Sequence, residues 1–183
     1  MSKNPALADS VRLGVEARRK FYAALDETDM QELGSGTPKP EIAEFEVRVG
    51  ASLPDAYREF LGQFGSWKMV DPVSDLFDVR QISNMIASPQ WREWLDDNAD
   101  LVEDSKVVVP IGWSTFSSKK YLLALTQRDR WLVRVVDSAS GVIAEFDGFL
   151  EYLSKSTKDF NLAVAEAPPA IAEIMSEDTE GRE

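Results

Sequence analysis

The sequence contains neither cysteine nor histidine in its 183 residues. Without these two residue types the chain has no thiolate nucleophile, no imidazole base, no Ser-His-Asp triad and no Cys/His zinc site. Disulfide bonds are excluded for the same reason. The two absences remove many common hydrolytic, redox and zinc chemistries, and they favour a protein that is not an enzyme and needs no metal or other cofactor.

Long apolar runs are also missing. No window approaches the roughly 18 apolar residues that a membrane span needs, and residues 1–9 lack the apolar run of a signal peptide. Hydrophobic residues make up 44% of the chain and charged residues 28%, as in ordinary globular proteins. The sequence therefore predicts a soluble, cytoplasmic protein that does not associate with membranes.

Basic residues are too few to balance the acidic ones. The chain has 20 Lys and Arg against 32 Asp and Glu, a formal net charge of -12. Residues 71–104 hold nine acids and two arginines, and residues 165–183 hold six acids and one arginine, so these segments carry -7 and -5. This excess argues against nucleic acid and favours a basic protein partner, although solubility alone is an alternative role for it.

The first third of the chain reads as helices. Apolar residues recur at helical spacing from Ala6 to Asp29. Residues 40–50 have Pro at the start and Gly at the end of a second helical pattern, and residues 54–65 repeat the arrangement. The intervening Gly34-Ser35-Gly36 follows no predicted strand, so it does not fit a phosphate-binding loop.

From residue 106 onward the pattern changes to short β-branched and aromatic runs. The connectors at 127–130 and 138–141 have four residues each and leave no room for a crossover helix, which indicates antiparallel strands in a meander. A closing helix follows, whereas residues 67–95 remain ambiguous. The predicted fold class is α+β, with N-terminal helices packed on a largely antiparallel sheet and a closing C-terminal helix. Three segments are expected: an N-terminal helix and linker at 1–37, the main domain at 38–164, and an acidic, flexible tail at 165–183.

Several motifs in the main domain resemble a known family. The pattern Glu-Ile-Ala-Glu-Phe-Glu-x3-Gly-x2-Leu-Pro-x2-Tyr-x2-Phe-Leu-x2-Phe-Gly at 41–65, Val-Pro-Ile-Gly-Trp at 109–113 and Phe-Asp-Gly-Phe-Leu at 146–150 together resemble the SUKH superfamily over residues 38–155. That family includes many bacterial immunity proteins and a yeast regulator of cell-wall synthesis. The resemblance implies an α+β domain whose helices pack on a largely antiparallel sheet.

One acidic segment has some features of a calcium loop. Asp96, Asn98 and Asp100 alternate as in the first positions of an EF-hand. However, Leu101 stands where that loop requires Gly and Val107 where it requires a bidentate Glu. The segment is therefore predicted not to bind calcium.

Two sets of residues are candidates for partner binding. Trp67 and Trp113 each follow a glycine-containing stretch at the end of an element, where an exposed indole could anchor a partner, whereas Trp94 and Trp131 are expected in the core. The second set is an acidic run within nine residues, comprising Asp96, Asp97, Asp100, Glu103 and Asp104. The run is predicted to lie either on a helix end and the following loop or on a loop alone. A solvated connector is the alternative to a binding surface.

The resemblance supplies the expected function. It implies a bacterial immunity protein of polymorphic toxin systems that binds and neutralises a specific toxin in the cytoplasm, without catalysis. The acidic run adds that the toxin presents a basic surface. The alternative is an intracellular regulatory scaffold or adaptor of the same fold.

Overall fold

A computed structural model of the chain describes residues 5–24, 31–71, 74–114 and 118–166. The helices are α1 Pro5–Ala24, α2 Lys39–Val49, α3 Asp55–Phe64, α4 Val79–Ala87, α5 Pro89–Asp97 and α6 Phe149–Glu166. The strands are β1 Glu32–Leu33, β2 Trp67–Asp71, β3 Ser74–Leu76, β4 Ser105–Ser114, β5 Lys119–Thr126, β6 Trp131–Asp137 and β7 Gly141–Phe146. A short 3₁₀ helix spans Ala99–Leu101.

The seven strands form one antiparallel sheet in the order β1 to β7, so each strand pairs with its neighbour in the sequence. This arrangement confirms the predicted α+β class and the meander. The sequence predicted the last four strands but not β1, β2 and β3. These three have only two, five and three residues, too few for an alternating pattern to stand out.

The predicted ends of α2 and α3 are confirmed. Gly50 has φ 74 after α2, and its N–H donates to Glu46 O at 3.0 Å. Gly65 has φ 65 after α3 and donates to Leu61 O at 3.0 Å. Both glycines adopt the positive φ that side-chain-bearing residues avoid, which ends each helix. The predicted end of the first helix, at 25–29, and the predicted tail beyond residue 166 lie outside the described residues.

Helices cover both faces of the sheet. Tyr57, Phe60 and Phe149 from α3 and α6 belong to the main core, which includes one set of alternating strand residues such as Leu123 and Val133. The other face is covered by α5, whose buried residues belong to a second cluster with strand residues of opposite parity. Members of that cluster are Trp91, Trp94, Leu122 and Val136. Since strand side chains alternate between faces, β4 to β6 are buried on both sides.

Gly112 lies within β4. A Cβ at this position would lie 2.5 Å from the carbonyl oxygen of Asp75 in the neighbouring strand. The register between β4 and β5 also shifts between Pro110 and Gly112. The glycine therefore permits a close approach of two backbones at a β-bulge.

Helix α1 belongs to the same core as the rest of the described chain. Leu7 and Val11 are buried in the main cluster, and the side chain of Arg18 is fully buried. Its guanidinium donates to Gly14 O at 3.0 Å, to Ser156 Oγ at 2.8 Å and to Val70 O. Its Cζ also lies 4.5 Å from the ring centres of Trp67 and Phe160. Arg18 thus joins α1 to β2 and α6.

None of the helices in the described ranges has the length and hydropathy needed to cross a bilayer.

We expect Arg18→Ala to lower the free energy of unfolding by about 3 kcal/mol, because it leaves a cavity and removes the donor to the buried Val70 carbonyl. The matched control is Arg12→Ala on the same helix, whose exposed ion pairs with Asp9 and Glu16 are screened by solvent and should contribute far less. Urea unfolding measures both. Equal losses in the two variants would show that Arg18 does not have this structural role.

Candidate partner-binding surface

The acidic run spans three kinds of local structure. Asp96 and Asp97 are the last two residues of α5, Asp100 lies in the 3₁₀ helix, and Glu103 and Asp104 occupy the turn before β4. All five side chains are exposed. The run therefore lies on a helix end and its following turns, which is the first of the two arrangements predicted.

Helix α5 gives this run a firm base. Ser88 caps the start of α5 by accepting a hydrogen bond from Trp91 N at 3.1 Å. The rings of Trp91 and Trp94 stack with their centres 5.2 Å apart and belong to the second core cluster. Asn98 is buried at the other end, and its Nδ2 donates to Trp94 O at 2.8 Å. The acids therefore project from a packed and capped helix.

Asp104 differs from the other four acids because it has an internal partner. Both of its oxygens accept hydrogen bonds from the Arg134 guanidinium at 2.7 Å, and Arg134 also donates to Glu145 Oε2 at 2.8 Å. The Arg134 side chain is only 7% exposed. The hydrogen bonds from Arg134 hold the pKa of Asp104 below its usual value. The same bonds to Asp104, together with the bond to Glu145, raise the pKa of Arg134. Asp104 thus anchors the turn to the sheet.

The other four carboxylates have no such partner. Within the part of the chain that the structure describes, no Lys or Arg nitrogen lies within 4 Å of Asp96, Asp97, Asp100 or Glu103. Asp96 and Asp97 also stand at the C-terminal end of α5, where the helix dipole disfavours negative charge. We call these four residues the acidic surface. Its charge opposes local stability, as is common at functional sites.

Trp67 is not an exposed anchor, and that part of the prediction is wrong. Its relative exposure is 0%, and its ring packs against Arg18 in the main core. The glycine before it, Gly65, ends α3, and the chain then enters β2 between two other strands. Trp67 begins an interior strand and is not an exposed residue at the end of an element. The sequence did not show this, because β2 has only five residues and its pattern was too short to recognise.

Trp113 lies on the α5 side of the sheet and is half-buried. The buried Lys120 places its Nζ 4.4 Å from the Trp113 ring centre and 4.9 Å from that of Trp94. Burial lowers the pKa of Lys120. Trp113 is therefore connected through Lys120 to the helix that carries the acidic surface, and its exposed portion stays a candidate contact.

Trp94 and Trp131 were both expected in the core, and the structure buries them to different extents. Trp94 is buried, as predicted. Trp131 is half-buried, and its Nε1 donates to Ser52 O at 3.1 Å while its ring packs against the main core.

The sequence did not predict the roles of three charged residues beside this surface, namely Arg134, Glu145 and Lys120. A charged residue inside an apolar strand run such as Trp131–Asp137 is a signal, because its burial requires a partner. The sequence does not identify that partner, since Asp104 lies 30 residues away from Arg134.

No three His, Cys, Asp or Glu side chains within the described ranges are grouped so that they could hold a metal ion.

Comparison with known proteins finds no matching family model and no significantly similar curated protein.

We expect Asp104→Asn to lower the free energy of unfolding by about 1 kcal/mol at pH 7, since the amide keeps one uncharged acceptor for Arg134 and replaces the other acceptor with a donor. The pKa of Asp104 is lowered in the folded state, so this contribution is present above the unfolded value of about 3.9 and is lost as the pH falls through the folded pKa. In urea unfolding, the difference in free energy of unfolding between Asp104→Asn and wild type should therefore shrink as the pH falls from about 5 to about 2.

Asp100→Asn is the control, because Asp100 has no ion pair in the described structure. Its stability should stay within about 0.5 kcal/mol of wild type at both pH values. A loss in Asp104→Asn that stays constant with pH would contradict the assigned role of the Arg134 pair.

Proposed function

We propose that this chain is a bacterial immunity protein that binds a specific toxin in the cytoplasm and neutralises it without catalysis. The resemblance of residues 38–155 to the SUKH superfamily supports the class of function. The antiparallel meander with helices packed on it is the architecture that this resemblance implies. The absence of Cys and His from the sequence is compatible with inhibition by binding alone.

The observation that carries the proposal is the acidic surface. Four exposed carboxylates without ion-pair partners in the described structure stand within eight residues, from Asp96 to Glu103, on a well-packed helix end. A basic face of a toxin would relieve both their mutual repulsion and the unfavourable helix-end position of Asp96 and Asp97. Binding gains more at these four positions than at Asp104, because no counterion for them lies within the part of the chain that the structure describes.

Charge of this kind acts chiefly on the rate of association. Complementary potentials steer two proteins together and raise association rates by about one to three orders of magnitude at low ionic strength. The affinity of an inhibitor comes mainly from a desolvated interface centre. Trp113, half-buried beside Lys120 on the same side of the sheet, is the aromatic residue best placed to contribute to such a centre.

Growth rescue tests the function directly. The chain is co-expressed with candidate toxins that carry basic surfaces, and we expect protection against one toxin and no protection against the others. The purified pair should then form a stable complex. Protection against none, together with weak binding to several host proteins, would overturn the proposal in favour of an adaptor of the same fold.

Charge reversal tests the acidic surface. We expect Asp97→Lys with Asp100→Lys to slow association with the cognate toxin about ten-fold or more at low salt, and the defect should shrink as salt screens the charges. Stability should not fall, because the change removes an acid from a helix C-terminus. Stopped-flow mixing at two ionic strengths measures the rates.

The matched control is Glu41→Lys with Glu44→Lys, which makes the same change in net charge at two exposed positions of α2. This variant should associate at nearly the wild-type rate. If both variants slow association equally, only net charge matters and the acidic surface is not the binding site.

A further inference from the structure

Strand β7 forms an open edge of the sheet. It pairs with β6 on one side, and no other described strand pairs with its outer side. Open edges are commonly protected by Lys, by Pro or by a covering element, yet β7 reads Gly-Val-Ile-Ala-Glu-Phe. Val142 and Ile143 are 42% and 44% exposed. This edge therefore combines unpaired backbone groups with exposed β-branched side chains.

A groove runs beside this edge, between β7 and α6. Its volume is about 360 Å³, within the size range of ligand-binding sites. Its lining is mainly apolar and includes Phe21, Tyr121, Ile143, Phe146, Tyr152 and Phe160. The register between β6 and β7 shifts at Ile143, and both Ile143 and Ala144 border the groove. The bulge thus adds an apolar residue to the groove wall and limits regular edge pairing to the stretch after it.

The charge around the groove selects the kind of partner. Residues 141–166 contain five acidic and two basic side chains, a net charge of -3. Asp159 borders the groove and pairs with Lys155 Nζ at 2.6 Å, so its charge is neutralised there. Glu145 lies on the opposite side of the strand, where Arg134 binds both it and Asp104, so this group of three keeps a net charge of -1. A second copy of this chain would bring two acidic edges together, with a net charge of -12 on each molecule. A basic segment is attracted to the same edge.

We propose that the outer edge of β7 and the adjacent groove bind an extended segment of a protein partner in which apolar and basic residues alternate. The segment lies along Ala144–Phe146 and places an apolar side chain in the groove beside Ile143. Because side chains of a strand alternate between faces, its basic residues then face the other side of the sheet, where the group formed by Asp104, Arg134 and Glu145 keeps a net negative charge. This surface is separate from the acidic surface on α5, and the inference does not depend on the partner being a toxin.

A synthetic peptide tests the site without knowledge of the natural partner. The probe is the blocked peptide Lys-Val-Lys-Phe-Lys-Val-Lys, titrated into the full-length protein at near-physiological salt. Amide NMR shifts locate the binding, and fluorescence anisotropy of a labelled peptide measures the affinity. We expect shifts concentrated at 141–146 and along the facing side of α6. Two control peptides should bind at least about ten-fold more weakly than the probe. One replaces each Lys of the probe with Glu, and the other has the composition of the probe but places its three apolar residues next to one another.

Two matched variants connect the affinity to the edge. Ile143→Lys should weaken binding of the alternating peptide about ten-fold or more, because it places a charge at the mouth of the groove. The control Leu13→Lys changes an equally exposed residue, 46% against 44%, on α1, and it should leave the affinity within about two-fold of wild type. Both positions are exposed, so both variants should fold, and circular dichroism checks this.

Several results would overturn the inference. They are the absence of binding at millimolar peptide, equal weakening by the two variants, or shifts that map to α5 instead of β7. Sedimentation gives the remaining outcome: a wild-type dimer that Ile143→Lys converts to a monomer would show that the edge pairs with a second copy of this chain.

Discussion

The buried guanidinium of Arg18 is the interaction on which the helical layer depends. A charged group removed from water must be satisfied by nearby polar atoms, because an unsatisfied one costs several kcal/mol. Carbonyl oxygens of Gly14 and Val70 and the hydroxyl of Ser156 accept its hydrogen bonds, and two aromatic rings cover its faces. These groups come from α1, β2 and α6, so the three elements must assemble together. The same assembly places Phe21 and Phe160 as walls of the groove beside β7.

The buried charges of this protein are basic, and this affects its surface. The charged side chains found buried are Arg18, Lys120 and Arg134, and every Asp and Glu side chain whose burial the structure describes is exposed or half-buried. Arg18 and Lys120 are covered by aromatic rings, and Arg134 is held by carboxylates of the turn and of β7. Cations in the interior leave the exposed surface even richer in acid than the composition suggests. The proposed attraction of a basic partner depends on this distribution as well as on the net charge.

Long or sharply bounded elements could be predicted from local sequence. Helices α2 and α3 are bracketed by Pro and by glycines with positive φ, and these signals act within a few residues. The last four strands are long enough for β-branched runs to be recognised, and their short connectors require antiparallel pairing. The first three strands could not be predicted, because two to five residues contain too little pattern. The burial of Trp67 was missed for the same reason, since it lies in β2.

The sequence alone determined the fold class, the lack of Cys and His chemistry and the position of the acidic run, because each depends on composition or local spacing. The sequence could not distinguish Asp104 from Asp100, because both are acids in one short run. In the structure, Arg134 of β6 binds Asp104, whereas Asp100 has no ion pair among the described residues. Only the tertiary structure decided this, because sheet register brings residues 30 positions apart within hydrogen-bond distance. The open edge at β7 and its groove likewise exist only once α6 packs beside the completed sheet.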